Sequence, residues 1–243
     1  ASPSYELFDG SQNGNDASGN PTPTMVANVV NTGVGIINYV GHGSETSWVS
    51  SSFSNSNMSS LTNNGMWPFI YSVACVNGAF NTTTCFAEAW QRATNNNQPT
   101  GSVAFLGSTI NQSWQPPMYG QDEMTDILCE LKGSNIKRSF MGIAVNGMYY
   151  MNEQSSDFAM TDTWTCFGDP SLYVRTTNPA TITADFPATI LNSFTSFDVT
   201  CNTQTGSVTL MKDNVIYGAG TLNNGLATVT ITHELIPGDI ITI

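Results

Sequence analysis

A recurring pattern constrains the fold most: a short apolar run that ends in small or reactive residues, followed by a polar or helical stretch. Residues 34–40 read VGIINYV, 68–74 read PFIYSVA and 102–106 read SVAFL. Each run is too short for an independent helix. Each is rich in β-branched or aromatic residues, like a strand buried on both faces of a parallel sheet. Helical spacing appears around them: Met25, Val26, Val29 and Val30 behind Pro21 and Pro23, then 85–94, 119–131 and 136–151. Strands alternating with helices predict an α/β domain, a parallel sheet with helices on both faces. A further short strand is expected at 171–174, after Phe167-Gly168-Asp169-Pro170. Sheets of this kind carry their chemistry in loops beyond the carboxyl ends of the strands. Here those loops hold His42, Cys75 and the segment 111–118.

The texture changes near residue 178. Apolar and polar residues now alternate with period two over 181–186, 197–201, 208–210, 227–231 and 240–243, punctuated by turns such as Asn223-Asn224-Gly225. This predicts a small antiparallel β-sandwich. Two domains are therefore expected, 1–177 and 178–243, and the second is expected to lack its final strand.

Composition narrows the function. Hydrophobic residues make up 40% of 243, enough for a real core. No run approaches the ~18–20 apolar residues of a membrane span. Six Lys and Arg stand against 18 Asp and Glu, a net charge of −12, and residues 1–91 contain no Lys or Arg. Such a chain repels phosphate backbones, so nucleic acid is not an expected partner, whereas cationic substrates are favoured. The sequence starts without a basic-then-apolar leader, so any targeting segment is expected to be removed or to lie outside it. Low charge and abundant Asn, Ser, Thr and Gly suit a secreted or bacterial cell-surface protein. Five cysteines with no CxxC pair, and only two histidines, supply a zinc site poorly.

One His and one Cys each follow a buried strand directly, 33 positions apart. If the strands are parallel neighbours, His42 and Cys75 emerge at the same sheet edge. A nucleophilic cysteine needs a base and donors for the oxyanion that develops on the attacked carbonyl. His42 suits the proton transfers. The backbone N–H groups of Gly43 and of Cys75 itself are the natural oxyanion donors. Cys85, Cys129, Cys166 and Cys201 read as small buried hydrophobes, and His233 as an exposed turn residue.

The blocks that carry these residues, 35–48 (GIINYVGHGSETSW) and 68–80 (PFIYSVACVNGAF), resemble the His and Cys blocks of the gingipain cysteine peptidases, relatives of the caspase–legumain group. The resemblance continues through 85–89, 108–118, 120–124 and 162–172. It extends into the β unit, which is similar to the immunoglobulin-like domain that follows the catalytic domain there. It implies a caspase-like fold and a secreted endopeptidase with Cys75 and His42 as its dyad, acting on protein substrates with basic residues. It is closest to the arginine-specific members: Trp114 and Met118, in the spacing W-x-P-P-M, match their pocket residues, and Gln112 is implied as a further substrate-binding residue. It also implies structural calcium, for which the sequence marks no ligands, and no organic cofactor.

The family's His-orienting carboxylate and pocket acid come from further upstream. Glu6, Asp9 and Asp16 sit in no block that matches either. The chain is thus expected to be N-terminally incomplete, with an N-terminal portion of the same protein as its partner. The alternatives are a non-catalytic surface or adhesion module on the same scaffold, or an inactive fragment.

Overall fold

The computed structural model describes residues 4–7, 19–81, 84–176 and 180–243. The chain divides into two compact units, Ala1–Thr177 and Asn178–Ile243.

The first unit is built on a four-stranded sheet: β1 (Ile36–Val40), β2 (Phe69–Val73), β3 (Ala104–Ser108) and β4 (Trp164–Gly168), in that spatial order. β1 and β3 both run parallel to β2, at the three apolar runs, while β4 is antiparallel to β3. The sheet is therefore mixed, not purely parallel. The strand expected at 171–174 reduces to one bridge between Ser139 and Tyr173. The cause is local. Gly168 turns the chain at φ 110°, and the Asp169 carboxylate accepts bonds from the Ser171 N–H at 2.8 Å and its hydroxyl at 2.7 Å. That Asx-type turn ends the extended run before it can pair.

All ten residues of β2 and β3 are buried, and the strand period of two divides them between two cores. Ile70, Ala74 and Phe105 face α1 (Pro23–Val30) and α2 (Phe86–Arg92). Phe69, Tyr71, Val73, Ala104 and Leu106 face α3 (Gln115–Leu128) and α4 (Phe140–Ser155). Helices thus cover both faces. α1 starts where Thr22 caps it, accepting from the Met25 N–H at 3.3 Å, with Pro23 at the first helical position.

α3 begins four residues before the expected 119, because Pro116 and Pro117 lie in the first turn, where a missing N–H costs nothing. Cys129 caps its far end and is exposed, not buried as expected. α4 runs four residues later than expected at each end. Between β1 and β2, the polar stretch forms a three-stranded ribbon of Gly43–Ser44, Ser47–Trp48 and Phe53–Ser54. Trp48 and Phe53 anchor it, their ring centroids both 5.5 Å from that of Trp90. Among the described residues no helix is long and apolar enough to cross a membrane.

The second unit is one antiparallel sheet of β5 (Ala184–Asp185), β6 (Ser196–Cys201), β7 (Thr205–Lys212), β8 (Val215–Asn223) and β9 (Leu226–Ile231), in the order β5-β6-β9-β8-β7. The described residues form this single sheet where a two-sheet sandwich was expected. The run at 240–243 contributes a bridge between Thr242 and Met211. Phe197, Val199, Leu210 and Val229 form its core.

Candidate active site

The parallel register pairs Val40 with Val73, the last residues of β1 and β2. His42 and Cys75 each lie two residues further on, so they leave the sheet side by side at its carboxyl edge. The Gly41 N–H donates to the Val73 carbonyl at 3.2 Å and keeps the two exits together. Gly43 then lies directly on the cysteine backbone. A Cβ at that position would stand 2.5 Å from the Cys75 oxygen, 2.8 Å from the Ala74 Cβ and 3.0 Å from the Cys75 nitrogen. Only glycine permits this approach.

His42 opens the ribbon. Its carbonyl accepts from the Val49 N–H at 2.9 Å and from the Tyr39 hydroxyl at 2.8 Å. Bonded and non-bonded pairs alternate along an antiparallel ladder, so the Gly43–Trp48 pair is a non-bonded one and the Gly43 N–H points out of the hairpin. The imidazole is exposed and meets the indole of Trp114 edge to face, with centroids 5.3 Å apart and planes at 87°.

Cys75 is half-buried, and its Sγ accepts from the Gln112 backbone N–H at 3.3 Å. The turn behind it leans on the end of β3: the Val76 N–H reaches the Ile110 carbonyl at 3.0 Å, and the Gly78 N–H reaches the Ser108 carbonyl at 2.9 Å. Val76 has φ 47°, a left-handed conformation that is a genuine outlier for a β-branched residue and stores about 1–3 kcal/mol.

The segment after β3 therefore touches both reactive side chains. Trp114 is 73% exposed at the N-cap of α3, and Met118, 41% exposed, follows on the same helical face. The side-chain Nε2 of Gln112 is buried with no protein partner. One residue that the sequence did not mark fixes this segment. The Asp157 carboxylate accepts from the Ser113 hydroxyl at 2.7 Å while capping α5 (Phe158–Thr163) through the Met160 N–H at 3.2 Å.

The structure thus gathers His42, Gly43, Cys75, Gln112, Trp114 and Met118 at the ends of three neighbouring strands. The other thiols stand apart. Cys85 is 1% exposed, and burial, with the Glu88 carboxylate beside it, pushes its pKa up to about 11. Burial and then the nearby Asp169 raise that of Cys166. His233 is exposed in the second unit, its ring 4.8 Å from that of Tyr217.

Among the described residues no carboxylate bonds the His42 ring. Glu6 lies within the described segment, whereas Asp9 and Asp16 lie outside the described residues. Among the described residues no three His, Cys, Asp or Glu side chains converge as metal ligands.

The profile of peptidase family C25 matches residues 4–175. Gingipain R1 of Porphyromonas gingivalis is 45% identical over 214 residues, which is 87% of this chain and 22% of that protein. Gingipain R2 of the same species is 45% identical over 217 residues, 88% of this chain and 30% of that protein. A crystal structure of the Arg-specific cysteine proteinase gingipain R superposes with a TM-score of 0.82 at 44% identity, covering 88% of this chain and 50% of that one. The chain spans less than a third of these curated relatives and half of the crystallised one. The match runs through β1 to β4 and every loop that carries the gathered side chains, and the chain belongs to peptidase family C25.

Proposed function

We propose that this chain carries the catalytic centre of a cysteine endopeptidase that hydrolyses the peptide bond after a basic residue, arginine. One observation carries the reading: Cys75 and His42 leave adjacent parallel strands in register, with the Gly43 backbone packed against the cysteine.

In the reaction His42 takes the Sγ proton as the sulfur attacks the substrate carbonyl carbon. The N–H groups of Gly43 and Cys75 receive the negative charge that develops on the carbonyl oxygen. The tetrahedral adduct collapses to a thioester as the imidazolium donates its proton to the leaving amine. Water, deprotonated by His42, then attacks the thioester carbonyl, and the sulfur leaves and recovers a proton.

The basic side chain before the cleaved bond lies on the open indole of Trp114 beside the Met118 thioether, an arrangement suited to a planar guanidinium. The unpartnered amide of Gln112 offers a donor to a substrate carbonyl. The family relationship supports arginine: gingipain R is an Arg-specific cysteine proteinase, and the net charge of −12 favours cationic ligands. The His-orienting carboxylate and the acid facing the guanidinium come from the part of the enzyme outside this chain, which partners it. The protein acts outside the cell or at its surface, and residues 178–243 form the antiparallel β unit that follows the catalytic centre in the chain. Calcium, if bound, is structural and takes no part in the chemistry.

The test is made in the full-length parent. Cys75→Ala abolishes cleavage of Arg-containing peptides, whereas Cys85→Ala, at a thiol sealed in the core, leaves it intact. An iodoacetamide-type probe labels Cys75 in competition with substrate. Full turnover by Cys75→Ala, or labelling confined to other cysteines, overturns the assignment.

A further inference from the structure

We propose that Asn77 is the positioning residue of this site, the side chain that holds the His42 loop and the Cys75 loop at their working separation. The proposal rests on the dyad reading above and adds a residue which that reading does not use.

Asn77 lies two residues beyond Cys75 and is 0% exposed. Its Nδ2 donates to the Ser44 carbonyl at 2.7 Å and the Ser47 carbonyl at 3.0 Å. Those carbonyls close the hairpin whose first strand begins at Gly43. Its Oδ1 accepts from the Ser72 hydroxyl at 2.8 Å, and Ser72 in turn accepts from the Trp48 indole N–H at 2.9 Å. One amide therefore ties the end of β2 to both arms of the ribbon that His42 opens. The bonded carbonyls are 33 and 30 positions away in the chain, so no local turn supplies the same restraint. The Cys75 turn needs one, because Val76 is held in a conformation it disfavours. Each side-chain hydrogen of Asn77 and its carbonyl oxygen has a partner, and a buried network satisfied in this way fixes a single arrangement.

Asn63 provides an internal comparison. It is also 0% exposed. Its Nδ2 donates to the carbonyls of Gly101 at 2.8 Å and Met66 at 3.0 Å, and its Oδ1 accepts from the Gly101 N–H at 3.0 Å. The two asparagines make the same number of bonds, but Asn63 ties together the segments that enter β2 and β3, at the opposite end of the sheet.

The experiment measures the second-order rate of iodoacetamide addition to Cys75 at neutral pH. It uses the full-length parent and reads alkylation at Cys75 alone by peptide mapping, because Cys129 is exposed and Cys166 and Cys201 are as half-buried as Cys75. Asn77→Ala lowers the Cys75 rate roughly ten- to a hundredfold, the scale of a misplacement near one ångström. Asn63→Ala lowers the melting temperature similarly and leaves the rate within about twofold. In a His42→Ala background, Asn77→Ala adds no further loss, because the alignment it maintains no longer matters. Where Asn77→Ala does not hold its fold, Asn77→Ser, which keeps a small polar side chain too short to reach both carbonyls, carries the same comparison.

Equal rate losses in the Asn63 and Asn77 variants overturn the positioning role, as does an Asn77 loss that persists in full without His42. A His42→Ala chain that alkylates at the parental rate has a different meaning: it overturns the dyad itself, and the proposal falls with it.

Discussion

Replacing Gly43 with alanine is the most direct challenge to the site geometry. The added Cβ would sit 2.5 Å from the Cys75 carbonyl oxygen and 3.0 Å from the Cys75 nitrogen. Both are backbone atoms, so no side-chain rotation relieves the contact. Reaching an ordinary separation of 3.4 Å requires the two loops to part by roughly 0.9 Å (3.4 minus 2.5). Overpacking of this kind costs about 1–3 kcal/mol, a fall of roughly 3–10 °C in melting temperature for a unit of this size. The kinetic effect is larger than the structural one. The displaced groups include both proposed oxyanion donors, and a shift near 1 Å, or the loss of one such donor, costs about 10²–10³-fold in kcat. KM moves less, because the Trp114 and Met118 contacts lie on another element. The assay is steady-state cleavage of an Arg-containing fluorogenic peptide by the full-length parent, with thermal melts alongside. Gly35→Ala serves as the control, since a Cβ there meets only the Arg175 carbonyl at 3.7 Å. If Gly43→Ala keeps more than about a third of the parental kcat, the close approach has no part in catalysis and the oxyanion assignment fails.

Val76→Gly removes a strained conformation worth about 1–3 kcal/mol against roughly 0.5–1 kcal/mol of added chain freedom. The melting temperature therefore holds or rises while kcat falls, and a large drop in melting temperature contradicts the strain argument. Asp157→Ala releases Ser113 and uncaps α5, at a cost of about 1 kcal/mol. It raises KM for Arg peptides several-fold with little change in kcat, and an unchanged KM shows that the 111–114 segment is held by other means. The buried Cys85 thiol titrates near 11 in the folded chain against 9.0 when free. Below pH 9 both states keep the proton; as pH rises from 9 toward 11 the unfolded chain loses it first, and stability falls by up to about 2–3 kcal/mol. Urea melts at pH 8 and pH 10.5 show a smaller loss for Cys85→Ala than for the parent, and equal losses refute the assignment. In the second unit, the Lys212 ammonium at 2.6 Å and the Ile236 N–H hold the Asp239 carboxyl below its usual range. That contribution is present at neutral pH and is lost as pH falls through the depressed value. Asp239→Asn flattens the acid limb of a melt followed in the second unit.

Where burial alone decides, the sequence and the structure agree. β2 and β3 fall on two of the apolar runs because a central strand must be apolar on both faces, whereas β1, on the third run, is an edge strand with no fully buried residue and not the buried strand expected. His42 and Cys75 stand out because each ends such a run. The departures have specific causes. β8 is the longest strand of the second unit, yet Gly218 and Gly220 interrupt its apolar pattern. Both are required by close packing, since a Cβ at either would lie within 2.6 Å of a β9 carbonyl oxygen. The start of α3 is hidden by Pro116 and Pro117, which read as loop residues although the first helical turn accepts them. β4 is a five-residue edge strand beside a turn-forming Gly-Asp-Pro, and period counting gives it little weight.

The reactive residues and the residues that position them differ in how they can be read at all. Cysteine and histidine advertise their chemistry by type, so their place at strand ends is informative before any coordinates exist. Asn77 and Asp157 act through hydrogen bonds to atoms 30 to 44 positions away, and the partners of Asn77 on the ribbon are backbone carbonyls that every residue type possesses. No residue-type pattern can mark such a partner, because the acceptor carries no side-chain identity. It follows that variation at Ser44 or Ser47 leaves the clamp intact provided the hairpin backbone keeps its path, while variation at Asn77 itself breaks it. The site therefore depends on its ribbon through backbone geometry. A substitution that shortens or lengthens the turn at Glu45 and Thr46 disturbs Cys75 more than one that changes the side chains facing it.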